Sequence, residues 1–169
     1  PTGVASILDY TFFSCVGLTL ITLPASVTSI GTQAFYNCTG LISITIPASV
    51  TSIGDNAFYS TAWYNNQPDG LVYAGKVAYK YKGTMPTNTH ILLEADTVGI
   101  ADRAFYTCTG LTSISVPSGI ISIGKYSFYY CYNLTSIDIP NNVTSIGAQA
   151  FNNCSSLTSL DIPASVTSI

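Results

Sequence analysis

The chain has 169 residues, of which 47% are hydrophobic and only 8% are charged, and its formal net charge is -3. This acidic balance argues against a nucleic-acid groove or an anionic membrane surface as the partner, because both attract basic proteins. Hydroxyl side chains interrupt the apolar positions every few residues, so the sequence contains no run of about 18 apolar residues that would span a bilayer.

A 23-residue repeat runs along most of the chain. Its phenylalanine recurs at Phe12, Phe35, Phe58, Phe105, Phe128 and Phe151. The long step from Phe58 to Phe105 is 47 residues, or 23 plus 24, and leaves room for one irregular repeat with one extra residue. Repeats of this length predict a solenoid, in which no unit buries its apolar face alone and stability comes from contacts between neighbouring units.

Each unit predicts two short strands and one turn. Leu-x-x-Ile-x-Ile, as in residues 41–46, has the two-residue period of a strand with one buried face, and Pro47 ends it. Val-x-x-Ile, as in residues 50–53, predicts a second strand, and Gly54 allows a sharp corner after it. Gly-x-x-Ala-Phe-x-x-Cys then favours one helical or 3₁₀ turn. The predicted fold is therefore a β-rich solenoid with stacked parallel strands on two faces, joined by short helical or 3₁₀ turns.

The period divides the chain into regular repeats over residues 1–59 and 97–169 and an irregular repeat over residues 60–96. Within the irregular repeat, two strand-like segments flank Ala74-Gly75-Lys76, which predicts a β-hairpin with its turn at the glycine. We expect one solenoid domain over residues 1–169. Pro1 replaces an initiator Met and Ile169 ends midway through a repeat, so we expect a part of a longer protein.

The repeated phrase, with its Leu-x-x-Ile-x-Ile, Pro, Ser-Val-Thr-Ser-Ile-Gly, Ala-Phe and Cys, resembles the BspA-like subclass of leucine-rich repeats over nearly the whole chain. The resemblance implies a right-handed, curved solenoid. It also implies an extracellular or cell-surface location, a role in binding host proteins or other cells, and no catalytic residues.

The chemically active residue types predict neither an enzyme nor a metal site. The cysteines Cys15, Cys38, Cys108, Cys131 and Cys154 occupy one repeat position, and such a column does not converge on one metal ion. Their rung spacing of about 4.8 Å would permit disulfides, but an odd count favours buried thiols as small apolar fillers. His90 is the only histidine, and nothing in the sequence places it beside a nucleophile and an orienting group. We expect no cofactor.

The function favoured by the sequence is a non-enzymatic protein-interaction or adhesion module of a surface or secreted protein. The alternative is a structural spacer within such a protein, and an enzyme is the least favoured class. The candidate partner-binding residues lie in the irregular hairpin region and on the outward face of the first strand. For the hairpin region the alternative is an elaborated repeat whose aromatic residues cover the core where the regular Leu and Cys columns fail. They are Trp63, Tyr73, Lys76, Tyr79, Lys80, Tyr81, Ser136, Asp138, Ser159 and Asp161. A column of aromatic residues that follows the repeated Phe predicts either a contact surface or a ladder of rings packed on one another. We favour the ladder.

Overall fold

The computed structural model describes residues 3–169 as a stack of short strands with a single short helix, α1 (Ala62–Asn65). The strands in chain order are β1 (Ser6–Ile7), β2 (Leu20–Thr22), β3 (Ser29–Ile30), β4 (Ser43–Thr45), β5 (Ser52–Ile53), β6 (Gly70–Ala74), β7 (Val77–Lys82), β8 (Thr89–Leu92), β9 (Gly99–Ile100), β10 (Leu111–Ser115), β11 (Ser122–Ile123), β12 (Ser136–Ile137) and β13 (Ser145–Ile146). In this part of the chain no helix has the length and apolar character needed to cross a membrane.

The strands stack on two faces, as the sequence predicts. The first strands of the repeats form the sheets β2-β4 and β12-β10-β8, and the second strands form the sheets β1-β3-β5 and β13-β11-β9-β7-β6. Pairing between repeats is parallel and places each residue opposite its equivalent one repeat later, as Ile21 opposite Ile44 and Ile123 opposite Ile146. Because like residues lie in register, the regular repeats of each half produce columns of equivalent residues, which the irregular repeat interrupts. The predicted fold class is confirmed.

The column of phenylalanines forms the centre of the core. The rings of the four inner members are fully buried, and neighbouring rings in each half of the chain stack with centroids 5.0 to 5.5 Å apart. The corner glycines allow neighbouring rungs to stack closely. A Cβ added to Gly124 would lie 2.5 Å from the carbonyl carbon of Ala101 and 2.5 Å from the amide nitrogen of Asp102, so the backbone of the preceding rung occupies that space.

The segment between the second and first strands differs from the helical or 3₁₀ turn expected from sequence. In one rung, Gln33 and Asn37 have left-handed backbone with φ of 53° and 59°. The amides of Gln33, Phe35 and Asn37 donate to carbonyls of the next rung, whereas those of Ala34 and Tyr36 donate to carbonyls three residues earlier. The segment is therefore a series of reverse turns, because alternate amides are needed to bond neighbouring rungs and a helix would direct them all within the rung.

The irregular repeat inserts the predicted hairpin between two halves of the core. Strands β6 and β7 pair antiparallel, and β7 also pairs in parallel with β9. Val77 and Tyr79 pack into the core of the N-terminal half, whereas Ala78 packs into the core of the C-terminal half. The pairing moves from Val72–Lys80 to Tyr73–Ala78, which leaves Tyr79 as an unpaired bulge residue. Both faces of the hairpin are thus covered by protein.

Candidate protein-interaction surfaces

Two aromatic residues of the hairpin region, Tyr79 and Trp63, pack against Phe58 in the N-terminal half-core. Tyr79 is 1% exposed, and its hydroxyl accepts a hydrogen bond from the Phe58 amide at 3.0 Å. Burial is the main cause that raises the pKa of Tyr79. Trp63 packs edge-on against Phe58, with ring centroids 5.1 Å apart. In this arrangement Tyr79 has almost no surface that a partner could reach, and its ring packs against Phe58 and Tyr64 in the core.

Tyr73 and Tyr81 are half-buried and pack against the C-terminal core. The Tyr73 hydroxyl accepts a hydrogen bond from the Glu94 amide at 3.0 Å. These contacts match the alternative in which aromatic residues of the irregular repeat cover the core where the regular Leu and Cys columns fail. The structure therefore divides the four predicted aromatic residues between the two half-cores, with Trp63 and Tyr79 on one and Tyr73 and Tyr81 on the other, and leaves little of their ring area exposed.

The three lysines of the hairpin have separate partners. Lys76 forms an exposed ion pair with Asp96, with 3.3 Å between Nζ and Oδ2. Lys80 points back to the N-terminal half and donates to the Asn56 side-chain oxygen at 3.0 Å. Lys82 donates to backbone carbonyls at the end of α1, including Asn65 at 2.7 Å and also Gln67. The hairpin thus does not gather its positive charge into one exposed spot.

The outward residues of the last first-strand rungs lie together. Ser136, Asp138, Ser159 and Asp161 are all exposed and line one shallow cleft of about 270 Å³ with Ile137 and Ile139. The cleft is acidic and rich in hydroxyl groups.

A ladder of aromatic rings follows the phenylalanine column on the surface, as favoured from sequence. In the N-terminal half, Phe13 stacks on Tyr36 with centroids 5.2 Å apart, and Tyr36 stacks on Tyr59 at 5.6 Å. In the C-terminal half, Tyr106 stacks on Tyr129 at 5.3 Å with an interplanar angle of 2°.

The C-terminal ladder is part of a larger cluster, here called the tyrosine patch, which consists of Arg103, Tyr106, Tyr126, Tyr129, Tyr130 and Tyr132. Its rings touch in sequence: Tyr129 contacts Tyr130 at 4.2 Å and Tyr126 at 5.4 Å, and Tyr130 contacts Tyr132 at 5.3 Å. The Arg103 guanidinium carbon lies 4.9 Å from the Tyr106 ring centroid and 5.1 Å from that of Tyr126. Such cation–π contacts hold a planar cation between two rings.

The tyrosine patch is open to solvent at its edges, with Tyr106 36% and Tyr132 43% exposed. Three of its members, Tyr126, Tyr130 and Tyr132, were missed in the sequence because they do not continue a column of aromatic residues. The aromatic-rich stretch over residues 126–132, which contains four of the five tyrosines of the patch, is the signal that could have found them.

The other candidate chemistry is dispersed. His90 is exposed on β8, and within residues 3–169 its ring nitrogens hydrogen-bond to two serine hydroxyls, Ser113 at 2.6 Å from Nδ1 and Ser115 at 3.3 Å from Nε2. All five cysteines are free thiols, four buried and Cys15 exposed. The thiols of Cys38, Cys131 and Cys154 donate to the carbonyl of the phenylalanine one rung earlier. Across residues 3–169, no three His, Cys, Asp or Glu side chains are grouped to hold a metal ion.

Stacked 23-residue rungs, with a Leu-x-x-Ile-x-Ile strand on one face and a serine-isoleucine strand on the other, define a leucine-rich-repeat solenoid. More narrowly, the chain belongs to the BspA-type leucine-rich repeat family, whose model matches residues 1–82 and 78–169 in six copies. Leucine-rich-repeat proteins are generally non-enzymatic and typically serve as protein-interaction modules. No curated protein matches the chain.

Solved structures of bacterial repeat proteins share the fold. A leucine-rich repeat protein from Bacteroides ovatus is 31% identical with a TM-score of 0.50, and the match covers 96% of this chain and 42% of that one. A leucine-rich cell surface protein from Faecalibacterium prausnitzii is 23% identical with a TM-score of 0.50, covering 95% and 57%. The pneumococcal vaccine antigen PcpA is 20% identical with a TM-score of 0.54, covering 89% and 46%. This chain thus spans about half the length of these proteins.

Proposed function

We propose that the chain is a non-enzymatic protein-binding module of an extracellular or cell-surface protein, and that the tyrosine patch is its principal contact surface. The location and the adhesive role rest on family membership. The contact surface rests on one observation, which is the cluster of mutually stacked tyrosines around Arg103.

The residue types of the patch are those that dominate protein interfaces. Tyrosine and arginine are enriched at contact centres, because they bring large rigid area together with a polar group that can bond a partner. Ring stacking already fixes these side chains in the free protein, so binding costs little further side-chain entropy. The N-terminal ladder also exposes aromatic rings, at Tyr10, Phe13 and Tyr59, but among residues 3–169 only the tyrosine patch holds an arginine between two rings.

Two tyrosines of the patch occupy left-handed backbone positions that recur in each regular rung. Tyr126 and Tyr130 have left-handed backbone with φ of 54° and 60°. At the same two positions of the last complete rung the chain carries Gln149 and Asn153. Asparagine tolerates this conformation better than a residue with a bulky side chain, for which it costs about 1 kcal/mol or more. The same two positions are left-handed in the other regular rungs too, where residues such as Arg103 and Thr107 occupy them, so the feature particular to Tyr126 and Tyr130 is the contact that their rings make with Tyr129.

Two further surfaces remain candidate contacts. The acidic cleft of Ser136, Asp138, Ser159 and Asp161 would suit a partner with basic or amide groups. On the hairpin, Lys76 and the exposed edges of Trp63, Tyr73 and Tyr81 form the second candidate, whereas Tyr79 and Lys80 would act by holding the hairpin in place.

The test compares two matched double substitutions in the same repeat column. Fluorescently labelled chain is applied to intact mammalian epithelial cells, with protease-treated cells showing how much binding depends on surface protein. We expect Tyr106→Ala/Tyr129→Ala to weaken binding at least about tenfold, because loss of a single interface anchor commonly costs about 2 kcal/mol. The control Tyr36→Ala/Tyr59→Ala removes the equivalent rings of the N-terminal ladder and should change binding by less than about twofold.

Equal loss in both double variants would refute the patch as the contact surface. Parallel variants, Asp138→Ala/Asp161→Ala and Trp63→Ala/Lys76→Ala, measure the cleft and the hairpin in the same assay. The spacer alternative is favoured instead if the unaltered chain binds neither intact nor protease-treated cells.

A further inference from the structure

A lysine amine, an asparagine amide and a carboxylate meet where the hairpin contacts the N-terminal half. Lys80 on β7 places Nζ 3.0 Å from Oδ1 of Asn56, in the turn that follows β5. The amide nitrogen of Asn56 donates to Oδ2 of Asp55 at 3.1 Å. Asp55 Oδ1 lies 4.0 Å from the same Nζ. Amine, amide and carboxylate therefore form a closed triangle of contacts.

The surroundings favour amine chemistry over a simple surface ion pair. The side chains of Lys80 and Asp55 are only 23% and 20% exposed. Asp55 Oδ1 is shielded from solvent and accepts no hydrogen bond among residues 3–169. Burial is the largest influence on Lys80 and lowers its pKa, Arg103 lowers it further, and Asp55 and Cys108 act in the opposite sense. A lowered pKa increases the share of neutral amine, which is the nucleophilic form.

We propose that Lys80 and Asn56 form an intramolecular isopeptide bond. The Nζ lone pair adds to Cγ of Asn56, which is bonded to the Oδ1 that Nζ already contacts. Asp55 accepts the proton that leaves Nζ and delivers a proton to Nδ2. The Cγ–Nδ2 bond then breaks, and ammonia leaves. One amide replaces another, so the step is neither an oxidation nor a reduction and needs no cofactor.

Asp55 is placed to move that proton because its two oxygens face the two reacting nitrogens. Oδ2 accepts from the leaving Nδ2, and Oδ1 is the carboxylate oxygen nearest to the attacking Nζ. Arg103, with Nη1 3.5 Å from Oδ2, keeps the carboxylate in this orientation. General acid–base transfer needs hydrogen-bond reach at both nitrogens, so the 4.0 Å between Oδ1 and Nζ has to shorten by roughly 1 Å as the amine adds to Cγ.

The bond would lie where the regular ladder is interrupted. The sheet of the N-terminal half ends at β5, and β7 belongs to the sheet of the C-terminal half. Strand β5 contacts both β7 and β9 without pairing with either. A covalent link from the turn after β5 to β7 would hold this junction, and it does not depend on the proposed binding function.

Intact-mass measurement of the purified 169-residue chain tests the proposal directly. We expect a mass lower than that of the sequence by one ammonia molecule, and a branched peptide joining Asn56 to Lys80 after digestion. Lys80→Arg should have the full mass of its sequence. The control Lys76→Arg, which changes an exposed lysine of the same hairpin, should still lose ammonia.

Two results would overturn the proposal. The first is an unaltered chain with the full mass of its sequence, as an ion pair alone would give. The second is a loss of ammonia that persists in Lys80→Arg without a branched peptide, because asparagine can also lose ammonia by closing on its own backbone. The role of Asp55 is tested in Asp55→Asn, which should remain at full mass while circular dichroism shows the fold retained. Complete cross-linking in that variant would refute Asp55 as the proton carrier.

Discussion

Replacing Gly124 with alanine should destabilise the solenoid through a contact with backbone alone. The new Cβ would lie 2.5 Å from the Ala101 carbonyl carbon, 2.5 Å from the Asp102 amide nitrogen and 2.7 Å from the Ala101 carbonyl oxygen. Gly124 has no left-handed φ, so the change introduces no conformational penalty of its own. The amide of Gly124 also donates to Ile100 at 2.8 Å, a bond between rungs that the clash would strain.

The expected loss is about 3 kcal/mol in the free energy of unfolding. Overpacking a core costs about 1 to 3 kcal/mol when side chains can adjust, and the upper end applies here because the obstacle is the backbone of a paired rung. Urea unfolding followed by circular dichroism measures this difference. One rung tolerates a Cβ at this corner. Ala101 occupies the position equivalent to Gly124, and its neighbour is the hairpin strand β7 instead of the corner of a regular rung.

Gly17→Ala is the matched control. A Cβ at Gly17 has no atom within 4 Å, so alanine there should be neutral or should stabilise the chain by about 0.4 to 1 kcal/mol through the unfolded state. If Gly124→Ala unfolded at the same urea concentration as the unaltered chain, the close stacking of corners would be refuted.

Three other predictions concern the core. Phe128→Ala should lower the free energy of unfolding by about 3 to 5 kcal/mol, because the ring is fully buried between two stacked neighbours, whereas Phe13→Ala, at an exposed ring, should cost less than about 1 kcal/mol in the same urea assay. A thiol reagent at pH 8 should label Cys15 alone in the folded chain and all five cysteines in urea; rapid labelling of a second thiol under folding conditions would contradict the buried column. Burial raises the pKa of Cys108 from 9.0 to about 12, so its neutral form stabilises the fold below pH 9 and that contribution is lost as the pH rises toward 12. The unfolding midpoint of the unaltered chain should therefore fall more steeply above pH 9 than that of Cys108→Ala.

The repeat made most of the fold predictable. Once Phe35, Phe58 and their equivalents are aligned, the strands, the stacking and the buried face follow, because identical units can bury that face only against one another. The turns were less predictable. The spacing of Ala34 and Phe35 is compatible with a helical turn. Left-handed backbone occurs instead at Gln33 and Asn37, because alternate amides must donate to carbonyls of the next rung.

The candidate surfaces could not be predicted by comparing equivalent positions of the repeats. Sequence identified the hairpin at Gly75 but not that both of its faces would be buried, because that depends on how two half-cores close around it. The opposite error occurred at Tyr126 and Tyr130. Each is the single tyrosine in the C-terminal part of its column, so comparing repeats does not mark it as part of a pattern. In the structure, however, both rings contact Tyr129.

The buried hairpin also bears on how cooperatively the molecule unfolds. A uniform stack of rungs couples each unit equally to the next, but here Val77 and Tyr79 belong to one core and Ala78 to the other. A segment that packs against both cores is held by both. Unfolding should therefore begin at the two ends of the chain and reach the hairpin last. Amide hydrogen exchange should accordingly be slowest in β7 and β9. The least regular repeat would then be the part of the chain that unfolds last.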